Sequence, residues 1–217
     1  KNVAVISFNS SEQVKNNSSA QARLITEARF DSASIEDPAG KVQDNFYKLD
    51  RLLTSKVVDE KPIIESEQFQ KYAEENAYNL KTLDAITTMG GSYVAVEGYP
   101  VIKAFSKKTI MEAFEHLPKT IDAVIVVSNT FMLQENMTVQ MGDLSSAGLG
   151  GQRVVSLLSF YMVNRAGKKI VQRDFRADSG EKLDKDKRGT DLDELASRAL
   201  DASFRELNSY LLKKLKS

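Results

Sequence analysis

The 217-residue chain contains no cysteine, no tryptophan and a single histidine. The lack of cysteine excludes disulfide bonds, thiolate nucleophiles and cysteine-ligated metal sites. A Ser-His-Asp relay would have to use the one histidine, His116. The sequence also lacks any run of about 18 apolar residues, the length that a membrane-spanning helix needs. These absences exclude cysteine chemistry and helical membrane spans.

Positive and negative side chains balance, because 30 lysines and arginines are matched by 30 aspartates and glutamates. A net charge near zero gives no attraction of the whole molecule to nucleic acid or to anionic lipid. We therefore expect no nucleic-acid partner. Hydrophobic residues make up 41% and charged residues 28%, which is typical of a globular protein. The length predicts one domain, or one domain with an appendage, and we assign residues 1–217 to a single domain.

The stretch from Asp122 to Arg176 predicts the centre of a β-sheet. Residues 122–129 and 153–163 are apolar and rich in β-branched side chains, which favour extended backbone. Between 153–163 and a third run at 168–175 lies the sequence Asn164-Arg-Ala-Gly167. Glycine adopts the positive φ that a tight hairpin loop needs, and asparagine caps such turns with its side chain. The pattern therefore predicts a hairpin.

The remaining elements are predicted from hydrophobic periodicity. Apolar or alternating runs predict strands at 3–8, 62–66, 92–99 and 137–142. Apolar residues at helical spacing predict helices at 21–29, from 41 onward, and at 68–88, 107–117 and 190–216. Polar and glycine-rich stretches predict loops at 9–20, 30–40, 143–153 and 176–188. This order predicts an α/β fold with a mixed sheet flanked by helices in two or three layers, and with a long C-terminal helix.

Two polar motifs are weak candidates for chemistry. His116 lies near the predicted end of a helix without a Gly-x-Ser-x-Gly motif elsewhere, so we interpret it as a helix-end surface residue. Asp184 and Asp186 resemble the first ligands of a calcium loop. Such a loop needs an oxygen ligand at its fifth position and a glutamate at its twelfth, where this chain has Arg188 and Leu195. A solvated charged loop that leads into a capped helix is the better interpretation.

Residues 148–153, Gly-Leu-Gly-Gly-Gln-Arg, are rich in glycine like a phosphate-binding loop. They lack the Gly-Lys-Ser/Thr ending of a P-loop, and they precede a strand, whereas phosphate loops precede a helix. We interpret them as a flexible strand connection. Met132, Met137 and Met141 flank the predicted edge strand, where ordinary packing is a simpler interpretation than an interaction surface. The sequence thus predicts no catalytic residue, no cofactor site and no metal site.

Four segments of the chain follow one another in a recognisable order. They are the strand at 3–8, the sequence at 62–69, the glycine turn and strand at 90–98, and the hairpin at 160–171. This order resembles the curli-secretion lipoprotein and TolB amino-terminal group. In that group a first strand is followed by a helix and a strand, and then by a small-residue turn and a strand that ends in glycine. A later hairpin precedes a final helix.

The resemblance implies a bacterial cell-envelope lipoprotein domain that is not an enzyme and that acts by binding another protein. It implies a location in the periplasm or at the outer membrane, with a lipid anchor on a cysteine upstream of Lys1. The chain starts without methionine, which we interpret as the removal of a leader. An α/β hydrolase or nucleotide-binding enzyme stays open as the alternative. A homo-oligomer that assembles through the final helix or the segment around Met137 is the third hypothesis.

Overall fold

The computed structural model describes residues 2–12, 14–16, 35–49, 57–76, 93–102, 107–135, 152–182 and 190–216. The strands in these ranges are β1 Asn2–Ser11, β2 Lys15–Asn16, β3 Tyr93–Ala95, β4 Ile121–Glu135, β5 Gln152–Asn164 and β6 Lys169–Asp178. The helices are α1 Pro38–Tyr47, α2 Lys61–Ile64, α3 Glu67–Asn76, α4 Lys107–Ala113 and α5 Thr190–Lys216. The predicted α/β class, with a mixed sheet and a long C-terminal helix, is confirmed.

The strands form one mixed sheet in the order β3-β1-β4-β5-β6. β1 and β4 run parallel, β3 is antiparallel to β1, and β4, β5 and β6 form an antiparallel meander. β2 pairs in parallel with Met132 and Leu133, so it continues β1 along the same side of β4. The prediction of a sheet centre therefore holds for β4, whereas β6 lies at the edge of the described strands.

Helices cover both faces of the sheet, which gives three layers. On one face α1 and α5 pack over the strands, and this core includes Phe8, Val42, Phe46, Val127, Leu158, Leu200 and Leu207. On the other face α3 and α4 do the same, and this core includes Ile6, Phe69, Tyr72, Ile110, Val126 and Val163. The apolar stripe predicted along the last helix is buried from Leu192 to Leu211.

The prediction of a polar loop at 9–20 is wrong for its first residues, because β1 extends to Ser11 and β2 follows shortly after. Asn9 Nδ2 donates a hydrogen bond to the Ile102 carbonyl at 3.0 Å, and Ser11 Oγ accepts one from the Phe131 amide at 2.9 Å. Both polar side chains are buried. Buried polar groups that find hydrogen-bond partners are tolerated inside a sheet, so polarity alone does not end a strand.

The strand predicted at 62–66 is also wrong, because this segment lies in and after the short helix α2. The amides of Ile63 and Ile64 donate to the Glu60 carbonyl at 2.8 and 2.9 Å. Proline has a fixed helical φ and lacks the amide hydrogen that the first turn of a helix leaves unpaired. Pro62 therefore suits the start of a helix better than the interior of a strand.

Helix α1 begins at Pro38, so the loop predicted at 30–40 is wrong at its end. Asp37 is the N-cap residue, and its Oδ1 accepts a hydrogen bond from the Gly40 amide at 3.0 Å. Such a side chain satisfies one of the free amides at a helix start. Pro38 and Gly40 are residue types that favour loops, so the sequence pattern predicts the helix only from residue 41.

Other predicted boundaries also change. β3 ends at Ala95 instead of residue 99, and α4 ends at Ala113 instead of residue 117. β5 begins at Gln152, within the predicted loop at 143–153, and β6 extends to Asp178, into the predicted loop at 176–188. No helix in the described ranges is long and apolar enough to cross a membrane.

Several predicted elements lie partly or wholly outside the described residues. These are the helix at 21–29, the strand at 137–142, the part of the glycine-rich loop before residue 152, the charged stretch at 183–189 and the second half of the helix at 68–88.

Candidate functional site

A carboxyl group is buried at the edge of the sheet, where Glu60 is only 6% exposed. The phenol groups of Tyr47 and Tyr99 both donate hydrogen bonds to Glu60 Oε2, that of Tyr99 at 2.6 Å. Glu60 Oε1 is buried as well, but it accepts no hydrogen bond from any described residue. Oε2 therefore has two phenol partners, whereas Oε1 has no side-chain partner among the described residues, and the backbone amide of Val5 lies near the carboxyl group.

The edge of β1 brings these residues together. The Val58 amide donates to the Val3 carbonyl at 2.9 Å, which holds the segment before Glu60 against the start of the strand. The Val96 amide donates to the Phe8 carbonyl at 3.1 Å, which holds the segment before Tyr99 against a later part of the same edge. Glu60 and Tyr99 thus approach each other along one strand edge.

An aromatic cluster fixes the positions of the two tyrosines. The Phe8 ring lies 5.2 Å from Phe46, 6.0 Å from Tyr47 and 5.3 Å from Tyr99, measured between ring centroids. Phe8 and Phe46 are buried. Aromatic pairs at these distances and tilted angles are favourable packing arrangements. The cluster therefore holds both phenol groups in reach of Glu60.

Burial raises the pKa of Glu60 above its ordinary value of 4.5, because the charged form loses hydration. The phenol hydrogen bonds and the nearby backbone amide of Val5 oppose this effect, since they favour the carboxylate, while repulsion from Asp59 adds to it. The pKa values of Tyr47 and Tyr99 are also raised, first by burial and then by the neighbouring Glu60. Both phenols therefore stay protonated and remain donors to Glu60.

The three side chains line a cleft of about 530 Å³ between α1, α2 and the segment that follows β3. Three further carboxylates line it, namely Asp59, Glu65 and Glu97. Lys61 is the one basic residue among the described residues of the lining, and its Nζ lies 3.8 Å from Glu65 Oε1. Apolar side chains complete the wall: Val57, Val58, Ile64 and Val96. The cleft is therefore acidic with an apolar wall.

The chemistry available in the cleft is that of carboxyl and phenol groups. Its described lining contains no serine, threonine, cysteine or histidine, so it offers no pair of hydroxyl or thiol nucleophile and imidazole base. Glu60 can accept a hydrogen bond from a cationic group at Oε1, or it can release a proton when its surroundings become more positive. Both capacities suit the recognition of positive charge.

The residues considered from the sequence lie elsewhere or outside the described ranges. His116 lies in the turn after α4, where it is half-buried and stacks on Tyr72 with ring centroids 5.4 Å apart. The structure therefore gives it a packing contact, and it does not line the Glu60 cleft. Met132 lies in β4, half-buried, whereas Met137 and Met141 lie outside the described ranges.

The end of the glycine-rich segment is a strand residue, since Arg153 lies in β5 and pairs with Asp178 at 3.2 Å. The first four residues of that segment, and the aspartates at 184 and 186, are outside the described part of the chain. In the described part, no group of three or more histidine, cysteine, aspartate or glutamate side chains is placed to hold a metal ion.

Sequence reasoning missed the Glu60 cluster. Tyr47 and Tyr99 are separated from Glu60 by 13 and 39 positions, so no local motif joins them. Glu60 lies between Asp59 and Lys61, and such a mixed-charge segment is typical of an exposed linker. The three side chains come together only in the fold, where the edge of β1 places Glu60 and Tyr99 and helix α1 places Tyr47.

Comparison with known protein families, with curated proteins and with solved structures finds no match to this chain in any of the three. The resemblance to envelope lipoproteins therefore stays a prediction.

Proposed function

We propose that this chain is a non-enzymatic domain of a bacterial cell-envelope lipoprotein and that it binds another protein through the Glu60 cleft. The supporting observation is the buried, unpartnered Oε1 of Glu60 in an acidic cleft. Leaving a buried polar group without a hydrogen bond costs on the order of 1–3 kcal/mol. A donor group on a partner would recover this cost, so the free oxygen favours a bound partner.

The surroundings of Glu60 fit binding better than nucleophilic catalysis. The apolar wall and the half-exposed Tyr47 provide the combination of aromatic and aliphatic contact that protein interfaces use. The carboxylates around them favour a partner with positive charge. A cleft of this kind binds a protruding group from another protein without any chemical step.

A photo-crosslinking amino acid in place of Gln43 tests the proposed binding in the native host. Gln43 lies in α1, lines the cleft and carries no charge. We expect a discrete adduct with one protein, and we expect Glu60→Gln in the same background to weaken that adduct. The matched control is the same crosslinker at Gln172, which is exposed in β6 and should give no such adduct. Equal adducts at both positions, or none at Gln43, contradict the proposal.

The envelope location has its own test. A lipid-anchored domain requires an encoded signal peptide followed by a cysteine upstream of Lys1. We expect the gene to encode both features. A gene that encodes a leaderless cytosolic protein would contradict the envelope location. It would not affect the proposed binding role, which the crosslinking experiment tests.

An α/β hydrolase or nucleotide-binding enzyme is the second candidate. The raised pKa of Glu60 favours it, because a buried acid with a raised pKa is typical of general acids. A thermal-shift screen with nucleotides, sugars and divalent metal ions discriminates between the two functions. A large, reproducible shift that Glu60→Gln removes would favour the enzyme. Absence of any shift, together with a crosslinked partner protein, would favour binding.

A further inference from the structure

The cleft has the chemistry to select one kind of partner group. We propose that it takes a primary ammonium group, a lysine side chain or amino terminus of the partner protein, with Glu60 Oε1 as the hydrogen-bond acceptor. The proposal rests on the binding function above and adds which chemical group is recognised.

The charged side chains that line the cleft favour a cationic ligand. Lys61 and Glu65 lie within ion-pair distance of each other, and both are exposed. Asp59, Glu60 and Glu97 have no ion-pair partner among the residues that the structure describes. Asp59 and Glu97 therefore lie around the cleft without a matching positive charge, beside the carboxyl group of Glu60. A cationic group on the ligand would supply it.

The open acceptor geometry favours ammonium over guanidinium. Glu60 Oε2 already accepts hydrogen bonds from Tyr47 and Tyr99, whereas the buried Oε1 accepts none from a described side chain. An arginine side chain binds a carboxylate best through two parallel hydrogen bonds, one to each oxygen. A lysine ammonium is a compact point charge that a single oxygen can accept. A carboxyl group with one occupied oxygen therefore suits the ammonium group better.

Tyr47 supplies a second contact for such a group. The residue is 48% exposed, although its hydroxyl group donates to Glu60. Ring contacts with Phe8 and Phe46, at centroid distances of 6.0 and 5.6 Å, hold the tyrosine in place. The face of a tyrosine ring attracts ammonium cations within about 6 Å of its centroid. The cleft therefore combines a buried carboxyl oxygen that lacks a side-chain partner with a fixed, accessible aromatic ring.

Binding of a cation should release a proton. The titratable or charged groups around Glu60 are Tyr47, Asp59, Lys61, Glu65, Glu97 and Tyr99. The two phenols keep their protons, because burial raises their pKa values. Burial also favours the protonated form of Glu60 in the empty cleft, and an adjacent ammonium favours the ionised form. Affinity for the ammonium group should therefore rise with pH.

An NMR titration of the full chain with n-butylammonium tests the proposal. The compound represents a lysine side chain, n-propylguanidinium represents arginine, and n-butanol is the neutral control. We expect n-butylammonium to bind about tenfold more tightly than n-propylguanidinium, a difference that corresponds to about 1.4 kcal/mol. We expect no detectable binding of n-butanol. The affinity for n-butylammonium should increase between about pH 5 and about pH 8.

Three variants connect the binding to Glu60. Glu60→Gln should weaken n-butylammonium binding about tenfold and remove its pH dependence. Glu97→Gln changes an exposed residue of the cleft and should weaken binding about twofold while the pH dependence remains. This variant tests the proposal even if Glu60→Gln does not fold. Glu115→Gln, exposed in the turn after α4, is the matched control and should change nothing.

Equal binding of both cations, unchanged binding after Glu60→Gln, or no binding of n-butylammonium overturns the proposal. The outcomes also distinguish the ammonium site from the protein-binding function. If Gln43 crosslinks a partner but n-butylammonium does not bind, the ammonium site is wrong and the binding function stands. If n-butylammonium binds but no partner crosslinks, the ammonium site stands and the protein-binding function is wrong.

Discussion

Glu60 links the stability of the fold to pH. Its pKa is raised in the folded chain, so the folded state keeps a proton at pH values where the unfolded chain has lost it. The resulting stabilisation is complete below the ordinary carboxyl pKa of 4.5. It is lost as the pH rises from there through the raised pKa of the folded state.

Glu60→Gln should flatten this part of the pH profile, because an amide does not titrate. Chemical denaturation between about pH 4 and about pH 8 measures the free energy of unfolding of both proteins. We expect the difference between them to change in favour of the variant as the pH rises. Glu115→Gln, which alters an exposed carboxylate, serves as the control. A difference for Glu60→Gln that is constant over this range would contradict a raised pKa.

At the scale of elements, Arg165 joins the β5-β6 hairpin to the turn between α4 and β4. Its guanidinium donates to the carbonyls of Ile121, Phe114 and Pro118 at 3.0, 2.9 and 2.7 Å. Its central carbon also lies 4.9 Å from the centroid of the Phe114 ring. Three carbonyls in different directions match the donor fork of arginine and not the single nitrogen of lysine. Arg165 thus holds the turn after α4 against the sheet.

Arg165→Lys should therefore destabilise the fold by about 1–2 kcal/mol, because at least two hydrogen bonds to carbonyl groups are lost. The free energy of unfolding in urea measures this effect. Arg205→Lys in α5 is the matched control, because Arg205 is exposed and its side chain makes no ion pair among the described residues. We expect the control to change stability by less than about 0.5 kcal/mol. Equal losses for both variants would show that the three carbonyl contacts do not matter.

The elements that sequence patterns predict well are those with one dominant local signal. β4 and β5 are long apolar runs, and the hairpin after β5 has Gly167 at φ 75°. Asn164 Oδ1 accepts from the Lys168 amide at 2.8 Å, as the turn sequence predicts. The long apolar stripe of α5 is equally explicit. In these segments, side-chain preference and tertiary packing agree.

Predictions fail where distant partners decide the local structure. Asn9 stays in a strand because Ile102 and Ser128 satisfy its side chain, although both are far along the chain. Pro62 shows a different kind of failure, because it lies in the first turn of α2, where the nearby Glu60 carbonyl accepts the amides of Ile63 and Ile64. The sequence pattern gives each residue its average preference for helix, strand or loop. It does not show which hydrogen-bond partner the fold places beside that residue.

For the whole molecule, a net charge of zero hides local differences. The Glu60 cleft is acidic, whereas the surface between β6 and α5 carries Arg173, Arg205 and Lys213. Neither surface could be read from composition, because each is assembled from residues of separate elements. The candidate site therefore required the fold, even though the class of fold was correctly predicted from the sequence.

The titration of Glu60 itself tests most directly whether this carboxyl group is poised to bind a cation. ¹³C NMR of its side-chain carbonyl gives the pKa in the free chain and with saturating n-butylammonium. We predict a pKa above the ordinary 4.5 in the free chain and a lower value with the ammonium bound. A pKa at or below 4.5 in the free chain, or one that n-butylammonium leaves unchanged, would contradict a cation-binding role for the cleft.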